Sequence, residues 1–229
     1  MQIRAVSDLH GQLPEIPPCD LLLLGGDLCP VENHDVGFQA QWLDTTFRRW
    51  LEGVPARHVV GVAGNHDWVF ERQPEAVPED LRWTYLQDSG CLIEGFRLWG
   101  TPWQPWFFDW AFNLYEEELK RRWELIPDDT DILLLHGPPH GYGDAVPRRN
   151  GTIEQTGSPS LLERIRQIQP QLAIFGHIHE GRGEYRDGST VLANVSLLDV
   201  NYRAVHPVWG MELRPRCDPG PRRVAPDAS

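Results

Sequence analysis

Residues 59–67 read Val59-Val60-Gly61-Val62-Ala63-Gly64-Asn65-His66-Asp67, an apolar run that ends in side chains able to bind a metal or move a proton. The pattern occurs four more times. Residues 3–6 lead into Asp8-Leu9-His10, and residues 21–24 into Gly25-Gly26-Asp27. Residues 132–135 run directly into His136-Gly137, and residues 172–175 into Gly176-His177-Ile178-His179. Four-residue runs that are mostly aliphatic predict strands covered on both faces, as in sheets flanked by helices. In α/β sheets ligands gather at the carboxyl ends of the strands. Five polar clusters at five strand ends therefore predict one shared crevice, with the glycines letting the backbone turn and approach closely.

Working outward, residues 36–52 carry Leu43, Phe47, Trp50 and Leu51 at helical spacing after Asp35 as N-cap. Residues 115–126 and 160–169 read the same way, the latter opening on Ser160 and Glu163 in a capping-box arrangement. Residues 184–186, 190–195 and 208–213 read as strands separated by turns such as Asp187-Gly188. The order predicts an α/β protein of two packed mixed β-sheets flanked by helices. The expected domain is 1–213. Residues 214–229, rich in proline and arginine and without apolar periodicity, are expected to be a loose tail.

The 229 residues contain 33 acidic against 21 basic side chains, a formal net charge of −12, and 41% are hydrophobic. That composition excludes wholesale disorder. The acid excess argues against a nucleic-acid polymer or an anionic membrane as partner, because both need clustered lysine and arginine. A small phosphorylated ligand remains compatible, since a local site can differ in sign from the whole. Cys19, Cys29, Cys91 and Cys217 stand far apart with no Cys-x-x-Cys pair, as in a reducing compartment. No apolar run approaches the roughly 18–20 residues that span a bilayer. Met1 to Asp8 moves straight into a core strand, so a signal peptide is not expected and a cytoplasmic location is.

Asp8, His10, Asp27, Asn65, His136, His177 and His179 make seven donors, too many for one tetrahedral zinc. With Asp27 bridging they divide into two sets of four, as a pair of divalent ions requires. Oxygen and nitrogen donors without thiolate suit Mn2+, the first expectation, and also Fe, Zn or Co.

The ordered motifs D-x-H, G-D, G-N-H-D, a later His and G-H-x-H resemble the full motif set of the calcineurin-like metallophosphoesterases, from Asp8 to His179. Tyr85-Leu86-Gln87-Asp88-Ser89-Gly90, Thr101-Pro102-Trp103-Gln104-Pro105-Trp106 and His136-Gly137-Pro138-Pro139 resemble a narrower branch. It comprises the metallophosphoesterase-domain-containing proteins and is similar to the class III cyclic nucleotide phosphodiesterases. The resemblance implies a four-layer α/β/β/α sandwich with Asp8, His10, Asp27 and His179 around one ion. Asp27, Asn65, His136 and His177 would surround the other. It implies that His66 contacts the phosphate and protonates the leaving oxygen, that Asp67 steers the His66 imidazole, and that a metal-bridging hydroxide attacks phosphorus.

The implied activity is hydrolysis of small phosphodiesters, cyclic nucleotides among them. A phosphomonoesterase and a metal-binding scaffold with little catalysis stand as alternatives. The G-D-x-V-D-R-G motif of phosphoprotein phosphatases is absent, for Asp27 is followed by Leu28-Cys29-Pro30-Val31. The aromatic stretch Trp103, Trp106, Phe107, Phe108, Trp110 and Phe112 reads as core packing or a homodimer surface in preference to a substrate wall. His34 and His140 read as solvated.

Overall fold

Each of the five apolar runs is a strand. The structure, a computed structural model, describes residues 1–215, so all but Arg214 and Pro215 of the expected tail lies outside the described residues. One sheet contains β1 (Gln2–Val6), β2 (Cys19–Gly25), β3 (Ala56–Val62) and β4 (Thr84–Tyr85), all parallel, with β15 (Trp209–Glu212) antiparallel on β1. The second sheet runs β13 (Gly183–Asp187), β14 (Thr190–Asn194), β12 (Leu172–Phe175), β9 (Ile132–Leu135), β6 (Phe96–Thr101), β5 (Ser89–Ile93). Its four central strands are parallel and its two edge strands antiparallel. Two short ladders complete the strands: β7 (Gln104–Pro105) with β8 (Asn113–Leu114), and β10 (Ala145–Pro147) with β11 (Ile153–Gln155).

Alternation along the central strands explains why their sequences are apolar throughout. Ile3, Ala5, Leu21, Leu23, Val60 and Val62 face Ile132, Leu134, Leu172 and Ile174 between the sheets. Their neighbours Val6, Leu22, Leu24 and Val59 pack outward against Leu43, Phe47, Leu51 and Phe70. On the far side Leu133, Leu135, Ala173 and Phe175 pack against Leu119, Trp123, Leu161 and Ile165. The result is the expected four layers, helix–sheet–sheet–helix.

The first helical layer has α1 (Val36–Trp42), capped by Asp35 accepting from the Phe38 N–H, and α2 (Arg48–Gly53). A π-helical stretch, Leu43–Phe47, joins them. A short α3 (Trp68–Arg72) follows β3. The other layer has α4 (Glu116–Trp123) and α5 (Pro159–Ile168). The expected cap of α5 is corrected. Ser158, not Ser160, accepts from the Leu161 N–H, because Pro159 lacks an N–H and fits the first helical position. Ser160 instead donates its hydroxyl to Glu116 of α4. Among the described residues no helix is long and apolar enough to cross a membrane.

The two sheets meet at the site. Just past β1, the Ser7 N–H donates to Val195 and the Leu197 N–H to Ser7, bridging Ser7 to Ser196.

Candidate metal centre

Immediately beyond β1, β2, β3, β9 and β12 stand Asp8, Asp27, Asn65, His136 and His177. The chain reverses sharply there, and four of the seven candidate ligands adopt left-handed backbone: Asp8 (φ 54), His10 (φ 44), Asp27 (φ 52) and His177 (φ 67). Such strain in non-glycine residues concentrates at functional sites. Two glycines are required by close approach. A Cβ on Gly64 would lie 2.3 Å from the Asp27 amide nitrogen and Oδ1. One on Gly176 would lie 2.1 Å from Ser7 Oγ and 2.2 Å from Asp8 Oδ2.

All seven predicted ligands come together. Donor atoms of Asp8, His10 and His179 lie within 4.8 Å of one another, as do those of Asp8, Asp27 and His136, and those of His10, Asp27 and His66. Asp27 sits between the halves, its Oδ2 3.5 Å from His10 Nε2 and its Oδ1 3.6 Å from His136 Nε2. Asn65 Oδ1 is 2.8 Å from His136 Nε2 and 2.7 Å from His177 Nδ1.

Outer contacts aim these donors. His136 Nδ1 is 2.9 Å from the Gly25 carbonyl and His179 Nδ1 3.0 Å from the Asp199 carbonyl, which leaves each Nε2 for the cluster. Asp8 Oδ2 accepts from Ser7 Oγ and Ser196 Oγ, and both Asp8 oxygens accept from the His177 N–H.

The donor set fits cations. His10 is buried, yet neither ring nitrogen has a hydrogen-bond partner, an arrangement that is costly unless something else satisfies it. Burial holds His66 and His177 down to about 3 and also lowers His10 and His136, so these rings stay neutral, the form that ligates metal. Burial, then the nearby Asp67 and Asp8 carboxylates, push Asp27 well above the usual carboxylate range, and positive charge beside it would favour its ionised form. Asp8 and His179 behave as a pair. Burial works against both charges, but their contact holds Asp8 far below its ordinary value and lifts His179 to about 9.

Asp67 does not touch the His66 ring. Its carboxylate accepts from the backbone N–H groups of Leu28, Cys29 and Gly64, tying the loop after β2 to the loop after β3. The partner of His66 is His34, whose Nε2 lies 3.0 Å from His66 Nδ1. Half-buried His34 is thus part of the site and not a solvated histidine; no motif surrounds it, and only its place on the loop after Asp27 hinted at this. His140 is half-buried, its Nδ1 3.7 Å from Asp144 Oδ2. Tyr202 escaped notice in the sequence. Its ring lies against His10 and His179, at centroid distances of 4.9 and 5.4 Å.

Above the cluster opens a cavity of about 470 Å³. The aromatic stretch divides around it. Trp103 and Phe112 pack into the core, and Trp110 covers His66 at a centroid distance of 4.2 Å. Trp106, Phe107 and Phe108 line the cavity wall, so this part of the stretch is neither core nor shown to be a dimer surface.

A model of the calcineurin-like phosphoesterase family matches residues 1–181. Metallophosphoesterase domain-containing protein 1 of Homo sapiens is 35% identical over 236 residues, covering 91% of this chain and 69% of that protein; its Mus musculus counterpart matches equally. A UPF0046 protein of Caenorhabditis elegans is 30% identical over 231 residues, covering 84% of this chain and 54% of its own length. Among solved structures, phosphopantetheinyl hydrolase of Mycobacterium tuberculosis superposes with a TM-score of 0.61 at 15% identity, covering 96% of this chain and 98% of that one. Thermus thermophilus TT1561 superposes with a TM-score of 0.53 at 18% identity, over 93% and 99%. At those identities the superpositions speak for the fold.

Proposed function

The chain belongs to the calcineurin-like phosphoesterase family, and from that premise we propose that it hydrolyses small phosphodiesters, cyclic nucleotides included, at the strand-end cluster. Asp8, His10, Asp27 and His179 would hold one divalent cation, and Asp27, Asn65, His136 and His177 a second, with Mn2+ the first expectation. Such a pair supplies Lewis-acid charge to the phosphate oxygens and an activated water at neutral pH. The observation that carries this reading is Asp27: one buried carboxylate faces His10 on one side and His136 on the other.

The chain's own residues divide the remaining tasks. Phosphate enters the cavity over His66, whose ring is boxed by His10, His34 and Trp110. An anion beside the imidazole opposes the effect of burial, since negative charge favours the protonated ring. In that state Nδ1–H donates to His34 Nε2, and His66 Nε2 is left to pass a proton to the leaving oxygen. Trp110 packs against the His66 ring at a centroid distance of 4.2 Å. Asp67 fixes the two loops that carry Asp27 and His66, and so acts through the backbone.

The test is metal analysis of the purified protein beside a panel of 2′,3′- and 3′,5′-cyclic nucleotides, bis-p-nitrophenyl phosphate and p-nitrophenyl phosphate. Two ions per chain with diester preference are expected. A marked preference for the monoester overturns the phosphodiesterase reading, and two bound ions with no turnover on the panel favour a scaffold.

A further inference from the structure

The cavity does not stop at the ligand cluster. It continues along the loop from Trp106 to Phe112, whose base is closed by the β7–β8 ladder pairing Gln104 with Asn113. At its tip Phe107 is 45% and Phe108 70% exposed. This exposure is enforced by the backbone. Phe108 adopts left-handed φ of 52°, and the largely buried Asn113 donates Nδ2 to both the Phe107 and Phe108 carbonyls at 3.1 Å. Trp106 is equally fixed: its N–H donates to the Leu114 carbonyl, and its ring stacks on Tyr115 at 5.1 Å and 8°. A bulky residue in strained backbone, held by a buried amide, marks a conformation selected for something other than stability.

The opposite wall sets the charge. Among the described residues Arg148 is the single arginine or lysine lining the cavity, and its guanidinium is tied to Glu154. Glu180 adds another carboxylate to the lining. A second phosphate beyond the ligand cluster would therefore find no free cation among the described residues, whereas an uncharged group would find three rings already in place. Ring faces held in advance bind flat groups by stacking, with little freedom left to lose.

We propose that Trp106, Phe107 and Phe108 form a binding shelf for a flat, uncharged aromatic substituent on the phosphoester. The shelf deepens the phosphodiesterase reading above and rests on it for the location of the phosphate.

The experiment uses the full chain and two monoanionic diesters with one leaving group, bis(4-nitrophenyl) phosphate and methyl 4-nitrophenyl phosphate. The expected result is that wild type favours the aryl diester and that the double variant Phe107→Ala, Phe108→Ala lowers the aryl-to-methyl ratio of kcat/KM about tenfold, mainly through KM. Both side chains are exposed, so the substitutions leave the packed core intact. A ratio within about twofold of wild type overturns the shelf. Equilibrium binding of phenylphosphonate and methylphosphonate, followed by tryptophan fluorescence, gives a readout independent of turnover. Tighter phenylphosphonate binding that the double variant abolishes, in a protein cleaving neither diester, supports the shelf and sinks the phosphodiesterase reading. Cleavage of both diesters at equal efficiency with equal phosphonate affinities overturns the shelf and leaves that reading standing.

Discussion

Replacing Asp27 by alanine removes one carboxylate from both halves of the cluster at once. The Asp27→Ala protein is expected to lose turnover to background and most of its bound metal, measured by elemental mass spectrometry on folded protein; normal metal content and rate would contradict a shared ligand. His34 permits a finer test. Its Nε2 holds His66 Nδ1 at 3.0 Å, so His34→Phe should keep the ring packing and lose the hydrogen bond. We expect kcat to fall about tenfold, more for an alkyl leaving group than for nitrophenol, with partial recovery in His34→Gln. Equal losses on both leaving groups would assign His34 to packing alone. The seven candidate ligands were legible in the sequence because each stands within four residues of the end of an apolar strand. His34 and Tyr202 were not, since contacts such as His34 to His66 span 32 residues and leave no local pattern. Asp67 was misread for the same reason: its partners Leu28 and Cys29 lie 39 and 38 residues away.

At the scale of elements, α1 carries Gln39 fully buried against the loop after β3. Its Nε2 donates to the His66 carbonyl at 2.7 Å and its Oε1 accepts from the Val69 N–H at 3.0 Å. Gln39→Leu would strand both backbone groups, and chemical denaturation should show a loss of about 2–4 kcal/mol with a disordered His66. A change below about 0.5 kcal/mol would mean that water replaces the amide. The helix bearing Gln39 runs on through π-helical Leu43–Phe47, a form that frequently accompanies functional sites. Long aliphatic strands and amphipathic helices could be read from periodicity. The two- and three-residue ladders β7–β8 and β10–β11 could not, because Gln104, Asn113 and Glu154 give no alternation at that length. These are the pieces that shape the cavity walls, so the centre of the site was legible and its rim was not.

For the whole molecule the charge of −12 sets an outer field that repels anions. Salt should relieve it. Raising ionic strength from about 10 to 150 mM, which shortens the screening length from roughly 30 to 8 Å, is expected to increase kcat/KM severalfold for a dianionic ester and less for a monoanionic one. A decrease for both would show that a local positive field outweighs the surface. At one edge of the first sheet β15 lies on β1. There the Met1 ammonium donates to the Leu213 carbonyl and the Leu213 N–H donates to Met1. Residue 1 and residue 213 are thus hydrogen-bonded neighbours. The order in which the strands are synthesised is therefore separable from the arrangement they reach. A circular permutant joining these two points by a short glycine-serine linker, and opened at the exposed Gly188 turn, should rebuild the same cluster of seven candidate ligands from a rearranged polypeptide and match the metal content of the parent chain.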